Sequence, residues 1–274
     1  MALVAGVTAL AAAIGLSILL LGLQRVFASA PTLWDSNDRD IKDTSLSVVI
    51  PAFDEEQNIE GCLTHVLMSE RPCSRWDVIV VDDQSSDNTV KIAEQAIVAV
   101  AGADQPDATV LQAGPRPKGE RWVGKNWGCC QAMEQVNSEW VLFIDADVTL
   151  APDAIRRALH QSINENADLF SLAPRLTCGC LAEWMVQPIM ASLLGLGFPI
   201  LEANDPASTV AFAAGPFMLF RRDSYNAIGG HRALAGEVVE DLALARRIKE
   251  GGFRLRYVLG IDAVDLQMYA NLQA

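Results

Sequence analysis

Basic residues are scarce and nowhere clustered. Lys and Arg number 21 against 34 Asp and Glu, leaving a formal net charge of −13. Without a basic patch there is no electrostatic footprint for a nucleic acid, so no nucleic-acid partner is expected. A small phosphate-bearing ligand stays compatible with this balance if a cation supplies the local positive charge. Histidine is equally sparse, with His65, His160 and His231 scattered. Cys62, Cys73, Cys129, Cys130, Cys178 and Cys180 form no Cys-x-x-Cys pair and no disulfide framework. A zinc site is therefore not expected, and free thiols suit a reducing cytosol. No internal repeat is visible.

Charge of either sign is also missing from Ala2 to Leu23. Such a run is long enough to cross a bilayer as a helix. A secretory signal is the rival, because Ala28-Ser29-Ala30 resembles a cleavage site. No Lys or Arg precedes the run, however, and the run exceeds a usual signal core, which favours an uncleaved anchor. The expectation is a transmembrane anchor over residues 2–24 and a polar linker over 25–45. Arg25, Arg39 and Lys42 vote for a cytoplasmic domain beyond it, giving a single-pass membrane protein.

What is present, in a chain of 274 residues that is 51% apolar, is enough for one large domain. Apolar runs alternate with helical patterns. Strands are expected at 46–50, 78–81, 109–111, 140–144, 217–220 and 254–258. Helices are expected at 58–68, 89–100, 125–136, 223–228 and 237–250, with another starting near Pro152. The alternation predicts an α/β domain with a mostly parallel central sheet. Residues 181–201 are largely apolar but interrupted by Glu183, Gln187 and Pro188, and fit either a buried helix or one lying in the membrane interface.

The most pointed stretch is Leu142-Phe143-Ile144-Asp145-Ala146-Asp147. A buried strand ends in two carboxylates two residues apart. Residues at that spacing point to the same side of an extended chain. Asp145 and Asp147 are therefore candidate ligands for a hard divalent cation, Mg²⁺ or Mn²⁺, which takes carboxylates together with phosphate oxygens. The plainer alternative is an Asp-rich turn capping the next helix. Two other strands also end in polar clusters, Phe53-Asp54-Glu55-Glu56 and Asp82-Asp83-Gln84-Ser85. In parallel sheets, ligands sit beyond the carboxyl ends of strands. Three acidic ends at one edge would repel unless a cation or a hydrogen-bonding ligand stabilises them.

These segments, with Glu240-Asp241 downstream, resemble the family 2 glycosyltransferases, which have the nucleotide-sugar-binding GT-A fold. The resemblance covers Leu46 to about Gly260, and a catalytic domain over 46–262 is expected. It implies that Phe53 stacks on the donor's base, with Glu55 beside the nucleoside. One of Asp82 and Asp83 accepts hydrogen bonds from the base, Asp145 approaches the ribose or metal, and Asp147 ligates the metal. Asp241 is implied as general base, inverting the anomeric centre by direct displacement without a covalent intermediate. The donor implied is a nucleotide sugar, a UDP-sugar first. The Gln-x-x-Arg-Trp motif of processive members is missing; Arg246-Arg247-Ile248 follows the base instead. A single transfer is therefore expected rather than polymerisation.

Trp122-Val123-Gly124-Lys125-Asn126-Trp127 and Gly215-Pro216-Phe217-Met218 resemble the branch with hopanoid-associated and carotenoid-type glycosyltransferases. Those act at membranes on lipid or isoprenoid-type acceptors. In that branch Lys125 would contact the diphosphate, or else be an exposed lysine at a helix start. His231 would lie near the acceptor, or else cap its turn. The branch usually continues into further membrane helices, so residues 263–274 read as the start of a C-terminal segment, either truncated or that of a short variant. Two other readings compete. A nucleotidyltransferase of related fold would carry a Gly-rich basic loop where Asp54-Glu55-Glu56 stand. A non-catalytic nucleotide-sugar-binding membrane protein would need no Asp241.

Overall fold

The computed structural model describes residues 2–35, 43–102, 105–177, 186–187 and 199–266. Its centre is a seven-stranded sheet in the order β3-β2-β1-β4-β8-β6-β9. The strands are β1 (Ser45–Ala52), β2 (Arg75–Asp82), β3 (Asp107–Gln112), β4 (Trp140–Ile144), β6 (Leu169–Ala173), β8 (Phe217–Arg221) and β9 (Leu255–Leu259). Only β8 runs against its neighbours, β4 and β6; the other pairs are parallel. The expected α/β class with a mostly parallel sheet is what the chain adopts.

The strands read as continuous apolar runs because both sheet faces are covered. Side chains alternate across the sheet. Val48 and Ile50, Val78 and Val80, and Leu142 and Ile144 enter one core. Val49, Ile79, Val81, Val141 and Phe143 enter the other. Helices α2 (Ile59–Leu67), α3 (Thr89–Val100) and α5 (Ala154–Asn164) cover the first face. Helix α4 (Asn126–Met133), the turn His231–Leu234 and the helix Glu240–Glu250 cover the second. Each fully buried Leu, Ile or Phe contributes roughly 1.5–3 kcal/mol.

Four strands escape the sequence periodicity. Three are too short to show a period: β5 (Val148–Leu150), β7 (Arg175–Leu176) and β10 (Val264–Leu266) form a small separate sheet. The fourth, β6, is interrupted by Ser171. Its hydroxyl is fully buried, donating to the Ala214 carbonyl and accepting from the Ala214 N–H. The helix expected from Glu237 starts at Glu240. Asn126 Nδ2 donates to the carbonyls of Leu234 and Glu237, which holds that approach out of helical geometry.

At the N-terminus the apolar run forms helix α1, Ala2–Ser29. Its 28 residues extend about 42 Å at 1.5 Å per residue. Among the described residues, which omit many of its side chains, no helix is long and apolar enough to cross a membrane. The expected transmembrane helix is therefore not found among them. The polar linker expected from residue 25 starts later, because nothing breaks the helix before Pro31, which disfavours helical geometry at the residue preceding it. Beyond the helix the chain is docked rather than loose. Ala30 and Leu33 are buried, and Thr32 bridges Leu259 in parallel. The 181–201 segment falls mostly outside the described residues, as do residues 267–274; Ile200–Asn204 forms a short helix, α6.

One backbone position fixes the turn beneath the site. Gly230 has φ 50° and ψ −153°, and a Cβ there would lie 2.4 Å from the Tyr225 ring. Gly230→Ala should cost about 1–3 kcal/mol, seen as a lower thermal midpoint of detergent-solubilised protein. An unchanged midpoint would show that the turn tolerates a side chain.

Candidate active site

The carboxyl ends of β1, β2 and β4 open onto a cavity of about 550 Å³ lined by Phe53, Glu55, Asp83, Lys125, Asp145 and Asp147 among others. The loops after β1 and β2 are laced together. Asp54, at φ 54°, accepts from the Ser86 N–H, and its own N–H donates to Ser85. Glu56 accepts from Asn88, and Asp87 accepts from the Thr89 N–H at the start of α3. These bonds explain the polar residues that do not line the cavity. Phe53 is left 59% exposed at the mouth.

Of the Asp82-Asp83 pair, only Asp83 lines the cavity. Asp82 turns away and accepts from the Ser85 N–H. One Asp83 oxygen pairs with Arg116 at 2.5 Å, while buried Oδ1 accepts no hydrogen bond among the described residues. Arg116 was not singled out by the sequence. It also donates to the Trp122 carbonyl, so it ties the loop after β3 to the cavity wall. Its only signal is a lone charge between Pro115 and Pro117 beyond a strand end.

Lys125 is the second cation. Its ammonium pairs with Asp145 and, at 3.1 Å, with Glu240. Burial alone lowers the Lys125 pKa, but the two carboxylates outweigh it and hold the group raised. The exposed-lysine alternative is thereby overturned, since only 22% of this side chain is accessible. Asp241 lies beside it. Asp241 Oδ2 accepts from the Gly215 N–H at 3.1 Å, and a Cβ on Gly215 would sit 3.3 Å from that oxygen and 3.6 Å from Lys125 Nζ. Burial, with help from Glu240, raises the Asp241 carboxyl. His231 lies elsewhere. It is buried against Phe143, bonded to the Tyr225 hydroxyl at 2.6 Å, and burial lowers it to about 3. The expectation that it lies near an acceptor is therefore withdrawn.

Asp147 carries the test for a cation. Burial first, then Asp145, pushes its carboxyl up to about 6. Its buried Oδ1 has no partner among the described residues. An acidic pair with an orphaned oxygen facing a cavity fits a hard divalent ion. No group of three or more ligating side chains occurs among the described residues. Any such ion would therefore draw its remaining ligands from a bound phosphate group or water.

A protein-family comparison decides the affiliation. The model described as "Glycosyl transferase family 2" matches residues 47–229. The chain belongs to glycosyl transferase family 2. Among curated proteins it is similar to 4,4'-diaponeurosporenoate glycosyltransferase of Staphylococcus aureus, 27% identical over 227 residues, or 82% of this chain and 56% of that protein. The chain thus spans about half the length of the curated relatives it matches. Among solved structures, a mannosyltransferase from Pyrobaculum calidifontis in complex with GDP-Man and Mn²⁺ superposes with a TM-score of 0.61. It is 20% identical, over 92% of this chain and 66% of that one. S. aureus TarS 1-349 in complex with UDP-GlcNAc gives 0.57 at 17% identity, over 83% and 59%. Glucosyl-3-phosphoglycerate synthase from Mycobacterium tuberculosis, with Mg²⁺ and UDP, gives 0.55 at 17%, over 84% and 77%. These likenesses establish the GT-A fold for this family 2 chain.

The raised Asp147 carboxyl has a consequence for the ligand-free protein. A folded-state pKa above the ordinary 3.8 means that folding favours the protonated form. The ionised group therefore destabilises the fold increasingly as pH rises through about 6, and has no effect below about 4. Asp147→Asn should stabilise the ligand-free protein at pH 8 without divalent ions, seen as a higher thermal midpoint, and leave the midpoint unchanged at pH 4. Equal melting of both proteins at pH 8 would mean that Asp147 is solvated.

Proposed function

We propose that this protein is an inverting glycosyltransferase. It moves a sugar from a nucleotide sugar, a UDP-sugar first, to a hydroxyl of a lipid or isoprenoid-type acceptor at the cytoplasmic face of a membrane. The observation that carries the reading is the meeting of Phe53, Glu55, Asp83, Asp145 and Asp147 in one cavity, with Asp241 beside Lys125 on its wall. The donors held by the TarS and mannosyltransferase structures, UDP-GlcNAc and GDP-Man, support a nucleotide sugar. The curated relative's name supports a carotenoid-type acceptor.

In this reading the donor's base rests on the exposed Phe53 ring, with Glu55 beside the nucleoside. The free Asp83 oxygen accepts an N–H from the base while Arg116 holds the other oxygen in place. Asp145 and Asp147 would hold a divalent ion, Mg²⁺ or Mn²⁺, which when bound neutralises charge on the departing diphosphate. Lys125 adds a fixed positive charge at the same wall. Asp241 takes the acceptor's proton as its oxygen bonds to the anomeric carbon and the bond from that carbon to the diphosphate breaks. The backbone N–H of Gly215 and of Leu242 hold this carboxylate in place. Its raised pKa makes it a stronger base than an ordinary surface aspartate.

The nucleotidyltransferase alternative is disfavoured by the loop after β1, where the carboxylates of Asp54 and Glu56 bond the neighbouring loop and no glycine-rich cradle stands. A non-catalytic binding protein has no use for a half-buried carboxylate at position 241. Asp241→Asn tests both points. Transfer should fall by ~10²–10⁴-fold at unchanged donor affinity, read as nucleoside diphosphate released with Mn²⁺. Transfer within about threefold of wild type would move the base to Glu240 or point to an acceptor carboxylate, already ionised and needing no base.

For the membrane, α1 is read as an uncleaved anchor because its described large side chains, such as Val7, Leu10, Ile14 and Leu20, are exposed along its length. Full-length protein should sediment with membranes and keep its N-terminus. A mature N-terminus at Pro31 would remove the anchor and the cytoplasmic placement together.

A further inference from the structure

The root of α1 and the base Asp241 share one edge of the sheet. Strands β1, β2, β4, β6 and β9 end at this edge, and antiparallel β8 begins there. The chain leaving α1 joins the edge at the end of β9. Leu33 N–H donates to the Leu259 carbonyl, and Leu259 N–H donates to the Pro31 carbonyl. Buried Arg157 pins this junction by donating to the Trp34 carbonyl and pairing with Asp262 at 2.9 Å. Ala30 packs with Ile200, Tyr257 and Leu259, and Ala214 packs against the same group. The residue after Ala214 is Gly215, whose N–H holds Asp241. At about 4.8 Å per strand, the root stands roughly 20 Å along the sheet from Asp145.

The same edge exposes apolar side chains that have no packing role. Val238, in the approach to Glu240, is 69% accessible; Leu201 beside Ile200 is 51%, and Ile261 just beyond β9 is 49%. We infer that this carboxyl edge rests on the lipid bilayer, with Leu201, Val238 and Ile261 entering the headgroup layer beside the root of α1. An acceptor then meets Asp241 at the membrane surface without leaving the membrane. The inference rests on the anchor reading above and adds the orientation of the catalytic domain. The occupant is a bilayer rather than a protein because the root of α1, whose described large side chains are exposed, joins the sheet at this same edge. With a net charge of −13 the contact is apolar, so anionic lipid should not strengthen it.

Depth-dependent quenching tests the orientation. An environment-sensitive fluorescent amino acid is encoded singly at positions 14, 201, 238 and 261, and at Met68 and Val98, in the full chain in phosphatidylcholine vesicles. Encoding it leaves the six native cysteines out of the labelling. Met68 and Val98 lie at the far ends of α2 and α3, towards the opposite edge, and are exposed. Lipids carrying a nitroxide near the headgroup should quench positions 201, 238 and 261 and shift their emission to the blue, while 68 and 98 keep their aqueous emission. Lipids carrying the nitroxide deep in the acyl chain should quench position 14. Quenching at 14 with aqueous emission at 201, 238 and 261 would overturn the orientation while keeping the anchor. No quenching at 14 would overturn both. Neither outcome depends on transferase activity, so the reading of the reaction is tested separately.

Discussion

Repulsion among carboxylates governs this molecule. Glu55, Asp83, Asp145, Asp147, Glu240 and Asp241 are brought towards one sheet edge by strand ends, loops and the start of a helix. Two cations answer them. Arg116 takes Asp83, and Lys125 takes Asp145 and Glu240. Asp147 Oδ1 has no partner among the described residues, and burial and Asp145 make the carboxyl harder to ionise. Among the described residues the imbalance is left uncompensated, and a bound cation would relieve it. Its cost is tolerable because the sheet beneath is buried on both faces by two cores.

The donor half was legible in the sequence because its signals are local. A strand buried on both faces shows as an unbroken apolar run, and its end shows as an abrupt change to Asp, as at Ile144-Asp145. The choice between Asp82 and Asp83 was less accessible. Asp82 continues the alternation of Val78 and Val80, whose side chains enter the core opposite α4, whereas Asp83 follows Val81 towards α4 and the cavity. That parity is written in the chain, but it speaks only once the location of α4 is known.

The remaining elements were harder to read for a different reason. Its elements are positioned by polar groups acting across long sequence separations. Ser171 interrupts its strand's apolar pattern because its hydroxyl serves Ala214. Asn126 bonds the approach to the helix Glu240–Glu250 from 108 and 111 residues away. Arg116 and Lys125 stand in a proline- and glycine-rich loop that carries no periodicity at all. Such contacts have no local signature, since any surface serine, asparagine or lysine reads the same in sequence. His231 illustrates the converse, a residue with a chemical reputation that serves only to fill and bond a core.

The reversed direction of β8 has a consequence for how such a protein diversifies. The chain leaves the central sheet at the end of β6 and returns at the start of β8, and both points lie on the same side. Everything between them is an excursion that begins and finishes at neighbouring strands. Its length and composition beyond β7, which pairs with β10, can therefore change without altering any pairing of the central sheet. The fold thus separates the strand ends that line the cavity from an excursion of the chain, and grafting that excursion between relatives should leave the central sheet intact.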